Sequence, residues 1–387
     1  MTRLALTGAA IVTPDAAIDG HALLIDGAQI AGLARDDAMP AGFEAVDLGG
    51  GWLLPGFIDT QVNGGGDILF NDQPTPGGIA AIAAAHRRFG TTGLLPTLIS
   101  DDLPVVAAGM AAVDAAIDAG MPGVLGIHVE GPFLNVEKRG IHDPGRIRPI
   151  DDDAIALLGR AGPGVRLVTL APELAPSGTI AKLTATGVIV AAGHSLADYD
   201  QIRAALGEGL HGFTHLFNAM TQLGSREPGM VGAALDDRAS RFGLIVDGHH
   251  VHPATLRAAI RARGLDGAML VTDAMPPVGG ELGSFTLMGR RIEMIDGICR
   301  GPDGTLAGSA LTMAAALRNA MDLLGLSIVE ASRMASGNPA AFLRLGDRTG
   351  AIVPGLAADL VHLDAGRRVT RSWIAGAVST RGERDLD

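Results

Sequence analysis

The hydrophobic positions change rhythm twice along the chain. From residue 4 to about 54, short apolar runs such as LALTGAAIV and HALLIDGAQIAGL are broken by turn residues. Asp26-Gly27 is a strong hairpin dipeptide, so this stretch predicts β-strands. From Leu53 onward, apolar runs alternate with alanine-rich stretches such as GGIAAIAAAHRRFG and LPVVAAGMAAVDAAIDAG, which predict helices. The runs TTGLLPTLIS, GVLGIHVEG, RLVTLAPE, VIVAAGHS, GFTHLFNAM, FGLIVDG and AMLVTDAM predict strands, and GFID makes eight. Apolar strands that alternate with helices are buried on both faces and pair in parallel. Eight such units predict an α/β fold of the (β/α)8 TIM-like barrel type. After about residue 345 the strand rhythm returns in TGAIVPGLAADLVHLD and RRVTRSWIAGAVS. Both termini are therefore expected to build a small β-sandwich, from residues 1–54 and 345–387, beside a barrel of residues 55–344. A β-like insertion, SFTLMGRRIEMIDGICRGPDG, falls late in the barrel.

Composition narrows the class. A chain of 387 residues with 47% hydrophobic content can bury a large core. It contains no uncharged apolar run of about 18 residues, so no membrane span is expected. Asp15 and Asp19 interrupt the N-terminal stretch, which reads as strand rather than signal peptide. The single cysteine, Cys299, excludes an intrachain disulfide, and a cytoplasmic location is expected. A formal net charge of −12 argues against a nucleic-acid partner but leaves room for a locally basic site and an anionic substrate. Lys138 and Lys182 are the only lysines, so Schiff-base chemistry or a metal-bridging lysine would have to come from one of them.

In a barrel, catalytic groups project from the C-terminal ends of the strands. Read in order, those ends hold Gln61 and Asn63; His128 and Glu130; His194; His215 and Asn218; Asp247, His249, His250 and His252; and Asp273. Polar groups at the ends of apolar strands need partners, because burying them unpaired is costly. Glu130, His194 and His215 offer one carboxylate and two imidazoles, a donor set suited to a catalytic metal with one position left open. Asp273 is placed to take a proton from an attacking water and pass it to a leaving group. His128 shares a strand face with Glu130, as a further ligand or a supporting partner. His86, His21 and His362 read as structural or solvated. Arg226, in TQLGSREPG, is either a surface arginine or a fork for a phosphate or carboxylate. LAGSALTM is a tight turn whose backbone N–H groups can meet an anion.

The segments PGFIDTQVNGGG, GIHVEGPFLN, KRGIHDP, AAGHS, THLFNAMTQLGSREPG, VDGHHVHP, VTDAMPPVG and LAGSALTM span nearly the whole predicted barrel. Together they resemble the N-acetylglucosamine-6-phosphate deacetylases of the amidohydrolase superfamily. The resemblance implies a metal-dependent hydrolase that converts N-acetyl-D-glucosamine 6-phosphate to D-glucosamine 6-phosphate and acetate. It implies Glu130, His194 and His215 as metal ligands, Asp273 as general base and acid, and His142 as the group polarising the acetyl carbonyl. It further implies substrate contacts from Ile141, His142, Asn218, Ala219, Arg226, His250, Leu306, Ala307 and Gly308. A homodimer follows as well, with Arg226 reaching the neighbouring subunit's site. Some members carry His-x-His on the first strand and bind two metals. Gln61 and Asn63 place this chain with those that bind one divalent ion per subunit, taken to be zinc. Two other readings are another amidohydrolase acting on a cyclic amide or a different N-acyl sugar, and a metal-free relative serving as a binding subunit.

Overall fold

Eight strands pair in parallel, in the order of the sequence, to form one sheet. They are β1 (Phe57–Val62), β2 (Thr91–Ile99), β3 (Gly126–Glu130), β4 (Val165–Leu170), β5 (Ile189–Ala192), β6 (Gly212–Phe213), β7 (Arg241–Leu244) and β8 (Ala268–Leu270). The structure, a computed structural model, describes residues 3–380 and 382. The sheet closes on itself just beyond β8, where the Asn63 and Gly64 N–H groups both donate to the Ala274 carbonyl at 2.9 and 3.0 Å. Every residue of β1, β2 and β3 is buried, as expected of strands covered on both faces. Helices follow the strands, among them Leu103–Asp118 after β2, Tyr199–Gly207 after β5 and Pro253–Arg263 after β7. The late insertion forms a three-stranded antiparallel sheet, Ser284–Leu287, Arg290–Ile295 and Ile298–Arg300. Its inner face joins Phe285, Leu287, Ile292 and Cys299 to Ile99, Ile141 and Met275 in one apolar cluster.

The barrel interior is not wholly apolar. His128 Nε2 bonds Thr169 Oγ1 at 2.8 Å, and Thr169 Oγ1 bonds Thr214 Oγ1 at 2.6 Å. His128 Nδ1 lies 3.4 Å from Thr97 Oγ1. This chain of hydroxyls and one imidazole satisfies polar groups that would otherwise be buried unpaired. Burial pushes His128 down to about 4, so it sits neutral among the threonines.

The chain divides into two compact units, one of residues 60–85 and 94–311, the other of the described parts of residues 1–59, 86–93 and 312–387. In the second unit both termini supply strands. A four-stranded sheet runs in the order Gln29–Arg35, His21–Asp26, Arg3–Thr7, Glu44–Asp47. In a six-stranded sheet, Leu360–Leu363 pairs antiparallel with Trp52–Pro55, with His362 opposite Leu53. The two sheets share a core in which Leu6, Leu23 and Ile25 of one meet Ile11, Leu53, Leu360 and Trp373 of the other. The hairpin at Asp26 forms as its dipeptide predicts, with Asp26 opposite Gln29 and Gly27 in the left-handed region that the turn requires. Trp373 is 1% exposed and is the largest side chain in this core. Trp373→Ala is expected to cost roughly 3–5 kcal/mol, read as a lowered urea midpoint at unchanged m-value.

Candidate active site

The C-terminal ends of the barrel strands converge on one pocket. Glu130 is the last residue of β3; His194 and His215 lie two residues past the ends of β5 and β6, and Asp273 three past β8. His194, His215 and Asp273 have φ of 50°, 29° and 53°, all in the left-handed region that side-chain-bearing residues seldom adopt. In each case the backbone leaves the extended strand at the functional residue. Such conformations cost on the order of 1–3 kcal/mol each and persist only where surrounding packing enforces them. Part of that packing is Gly193, where a Cβ would come within 2.9 Å of Thr169 Cγ2 and 3.0 Å of Thr214 Cβ.

Three ligand-type atoms meet at the centre. Glu130 Oε1 lies 3.2 Å from His194 Nε2 and 3.1 Å from His215 Nε2, and the two Nε2 atoms are 3.0 Å apart. His194 Nδ1 lies 2.8 Å from the Lys138 carbonyl, which only accepts, so that nitrogen carries the proton. Nε2 therefore presents a lone pair to a carboxylate oxygen and a second imidazole. Lone pairs crowded in this way repel unless a positive centre sits among them. All three residues are at most 5% exposed, so water does little to screen them. A buried set of one oxygen and two nitrogens, with one tautomer already locked from behind, fits a divalent cation of the zinc type. Burial works against ionisation of Glu130, but the two imidazoles beside its Oε1 outweigh it and hold the carboxyl well below its usual range.

Asp273 sits beside this centre. Gln61 Nε2 donates to Asp273 Oδ1 at 3.1 Å and to Glu130 Oε1 at 3.0 Å, and Asn63 Nδ2 donates to Asp273 Oδ1 at 2.6 Å. Both amides thus hold one oxygen and leave Oδ2 as the basic atom. Burial first, and then the charge of Glu130, push Asp273 up to about 6. A bound cation would act in the opposite direction.

His142 is buried against His194, with ring centroids 4.6 Å apart. The Ser100 backbone N–H donates to its Nδ1 at 3.2 Å, which makes Nδ1 an acceptor and puts the ring proton on Nε2. Burial, reinforced by His194, pushes His142 down to about 3, so it is a neutral donor. Ser100 is a functional residue the sequence reading missed, although it is the polar end of the apolar run TTGLLPTLIS and the strand-end rule would have found it. Glu173 is a second. Its carboxylate accepts from Asn135 Nδ2 at 3.0 Å, Ser195 Oγ at 2.5 Å and Leu196 N at 2.6 Å, pinning the loops that flank His194. Nothing in its PEL context signals that role.

Of the other expected site residues, Ile141, Asn218, Ala219, His250, Leu306 and Gly308 line the same pocket, together with Asn63, Ile99, Ile245, Met275 and Thr305. Ala307 lies behind that wall, its N–H donated to the Cys299 carbonyl at 3.0 Å. Arg226 is exposed and outside the pocket lining of its own chain. His128 stands apart from the three converging groups, with both ring nitrogens on threonine hydroxyls.

The amidohydrolase family pattern matches residues 52–379, and the NagA composite domain matches residues 4–53. An N-acetylgalactosamine-6-phosphate deacetylase of Shewanella sp. (strain ANA-3) is 46% identical over 339 residues, 87% of this chain and 85% of its own. The N-acetylglucosamine-6-phosphate deacetylase of Bos taurus is 39% identical over 349 residues, 86% of this chain and 84% of its own. The crystal structure of N-acetylglucosamine-6-phosphate deacetylase from Pasteurella multocida superposes with a TM-score of 0.94 at 32% identity, covering 98% of this chain and 100% of that one. A mutant of the N-acetyl-D-glucosamine-6-phosphate deacetylase from Mycobacterium smegmatis, solved in complex with N-acetyl-D-glucosamine 6-phosphate, gives 0.89 at 34% identity, covering 98% and 99%.

The central geometry predicts tight binding of a divalent cation through Glu130, His194 and His215. Glu130→Gln is expected to weaken zinc at least about tenfold in a chelator competition, because it removes the only anionic donor of the three.

Proposed function

The chain belongs to the amidohydrolase family, and we propose that it hydrolyses the acetamide of N-acetyl-D-glucosamine 6-phosphate to give D-glucosamine 6-phosphate and acetate. The observation that carries this reading is the pairing of a lone-pair cluster built for a cation with a carboxylate of raised pKa, inside one pocket. Such a pairing suits hydrolysis of an unactivated amide, which needs an activated water, a polarised carbonyl and a protonated leaving amine. The names of the relatives supply the substrate class.

A divalent cation, zinc in this proposal, would be held by Glu130, His194 and His215 and would supply Lewis acidity toward water and the acyl oxygen. Asp273 Oδ2 takes a proton from the attacking water while its Oδ1 stays fixed by Gln61 and Asn63. The oxygen of that water bonds to the acetyl carbon, and the carbonyl electron pair moves onto oxygen. His142 donates Nε2–H to that oxyanion and, being neutral, keeps its proton. Asp273 then returns its proton to nitrogen, the C–N bond breaks, and amine and acetate leave. Asn63 and Gln61 fill with amide donors the place where a second ion would need ligands, so the proposal is one ion per chain.

The same reading includes a homodimer. Leu223 and Arg226 are exposed in one loop, and Val136, Leu174 and Leu196 form exposed apolar tips on the loops gathered by Glu173. Arg226 would complete the phosphate site of the neighbouring subunit. Among the described residues no helix is long and apolar enough to cross a membrane. A sugar phosphate does not cross a bilayer unaided, so the reading places the enzyme in the cytoplasm. The 46% identical galactosamine-type relative favours a second substrate, the 4-epimer, for the same chemistry.

Acetate release from both N-acetylhexosamine 6-phosphates tests the proposal, and wild-type protein loaded with zinc that releases none from either would refute it. Asp273→Asn should lower kcat at least about 10³-fold with one zinc still bound. Arg226→Ala should raise KM for the phosphorylated sugar about tenfold at unchanged sedimentation as a dimer.

A further inference from the structure

His194 is held from two sides, and both sides lead to one carboxylate. On the first side, its Nδ1–H donates to the Lys138 carbonyl at 2.8 Å. Lys138 ends the short helical turn Val136–Lys138, and Asn135 caps the start of that turn. Asn135 Oδ1 accepts the Glu137 N–H at 3.0 Å, and the Asn135 carbonyl accepts the Lys138 N–H at 2.9 Å. The Asn135 N–H donates to the His194 carbonyl at 2.9 Å. The carbonyl that fixes the His194 proton therefore follows the position of Asn135. On the second side, the Ser195 N–H donates to the carbonyl of Ala219, in the pocket wall, at 3.1 Å, and Ser195 Oγ accepts the Ala197 N–H at 3.0 Å.

Glu173 joins the two sides. It stands in the turn Pro172–Leu174 after β4, outside the pocket lining. Its Oε1 accepts from Asn135 Nδ2 at 3.0 Å and from the Leu196 N–H at 2.6 Å, and its Oε2 accepts from Ser195 Oγ at 2.5 Å. Every one of these bonds ends within two residues of His194 or on the residue that bonds its carbonyl. The His194 backbone, at φ 50°, is one that surrounding structure must enforce. Glu173 restrains the chain just after that residue and the turn whose carbonyl holds its ring.

We infer that Glu173 is a positioning residue for the cation site: it holds the His194 ring with Nε2 toward Glu130 and His215, and so sets how tightly a divalent cation binds. This rests on the reading of Glu130, His194 and His215 as a cation site. The alternative is a staple that keeps two loops folded and leaves the ligand set unchanged.

The test measures zinc affinity by chelator competition for wild type, Glu173→Ala, Glu173→Gln, Asn135→Ala and the double alanine variant. Trp373→Ala, from the other compact unit, serves as a destabilised control. Each is measured at a temperature where circular dichroism shows it fully folded. Glu173→Ala should weaken zinc about tenfold or more and alter the visible spectrum of the cobalt(II)-loaded protein. Glu173→Gln keeps an acceptor for Asn135 and Leu196 and should bind zinc within about threefold of wild type. Asn135→Ala should weaken zinc as well, and Glu173→Ala should cost less in that background than in wild type, because both act through the Lys138 carbonyl. Trp373→Ala should lower the unfolding midpoint and leave zinc affinity unchanged. The inference is overturned if Glu173→Ala binds zinc as wild type does, if Trp373→Ala weakens zinc equally, or if the two alanine costs simply add. Should Glu173→Ala fail to fold, wild-type zinc affinity in Asn135→Ala overturns it alone. Wild type that binds no zinc counts against the cation site itself, whereas equal affinity in wild type and Glu173→Ala counts against Glu173 only.

Discussion

Everything at the mouth of this barrel depends on three ligand-type atoms placed about 3 Å apart: Glu130 Oε1, His194 Nε2 and His215 Nε2. Electrostatics in a buried site do not permit that arrangement without positive charge among them. The protein commits to it from several directions. The Lys138 carbonyl fixes the His194 proton on the outer nitrogen. Glu173 ties together the loops on either side of His194. Left-handed backbone turns both histidines inward at the ends of their strands. Each of these carries a cost or removes freedom, and together they build a buried centre that could hold a cation.

Gln61 and Asn63 place neutral amides beside this centre. Imidazoles there would present lone pairs and invite a second ion. Amides present N–H donors instead: both reach one oxygen of Asp273, and Gln61 also donates to Glu130. The carboxylate becomes asymmetric, with one oxygen held and the other basic. In the proposed reaction, a base that must give its proton back to a leaving group would benefit from that arrangement, because the side chain need not rotate between the two transfers.

The architecture was legible because burial on both faces leaves a simple trace. Strands such as Phe57–Val62 and Thr91–Ile99 are apolar without interruption, and the helices between them carry the alanine that close packing prefers. Pairing of the termini was legible from the return of strand rhythm, and Leu360–Leu363 beside Trp52–Pro55 is its outcome. The list of polar strand ends also found the groups that converge. The sequence did not carry the partners behind them. Whether His142 is donor or acceptor depends on the Ser100 N–H, 42 residues away. Whether His128 is a ligand depends on Thr97 and Thr169, which hold its ring within the barrel interior. Left-handed φ at His194, His215 and Asp273 has no signature in composition, since nothing local favours it.

The pocket separates two electrostatic tasks by strand. The groups from β1, β3, β5, β6 and the segment after β8 gather around Glu130 Oε1 and Asp273, and in the proposed reaction they would surround the reacting carbonyl. The segment after β7 carries a different unit, Asp247 with His250, in which a carboxylate stands behind an imidazole rather than beside a metal. A substrate with an amide at one end and an anion at the other would engage both at once, and the rigid strand ends between them would fix the distance from anion to scissile bond. In the proposed reaction, binding energy from the remote anion would be spent on orienting the acetyl carbon against the water and Asp273, which is how a group that takes no part in the chemistry can raise its rate.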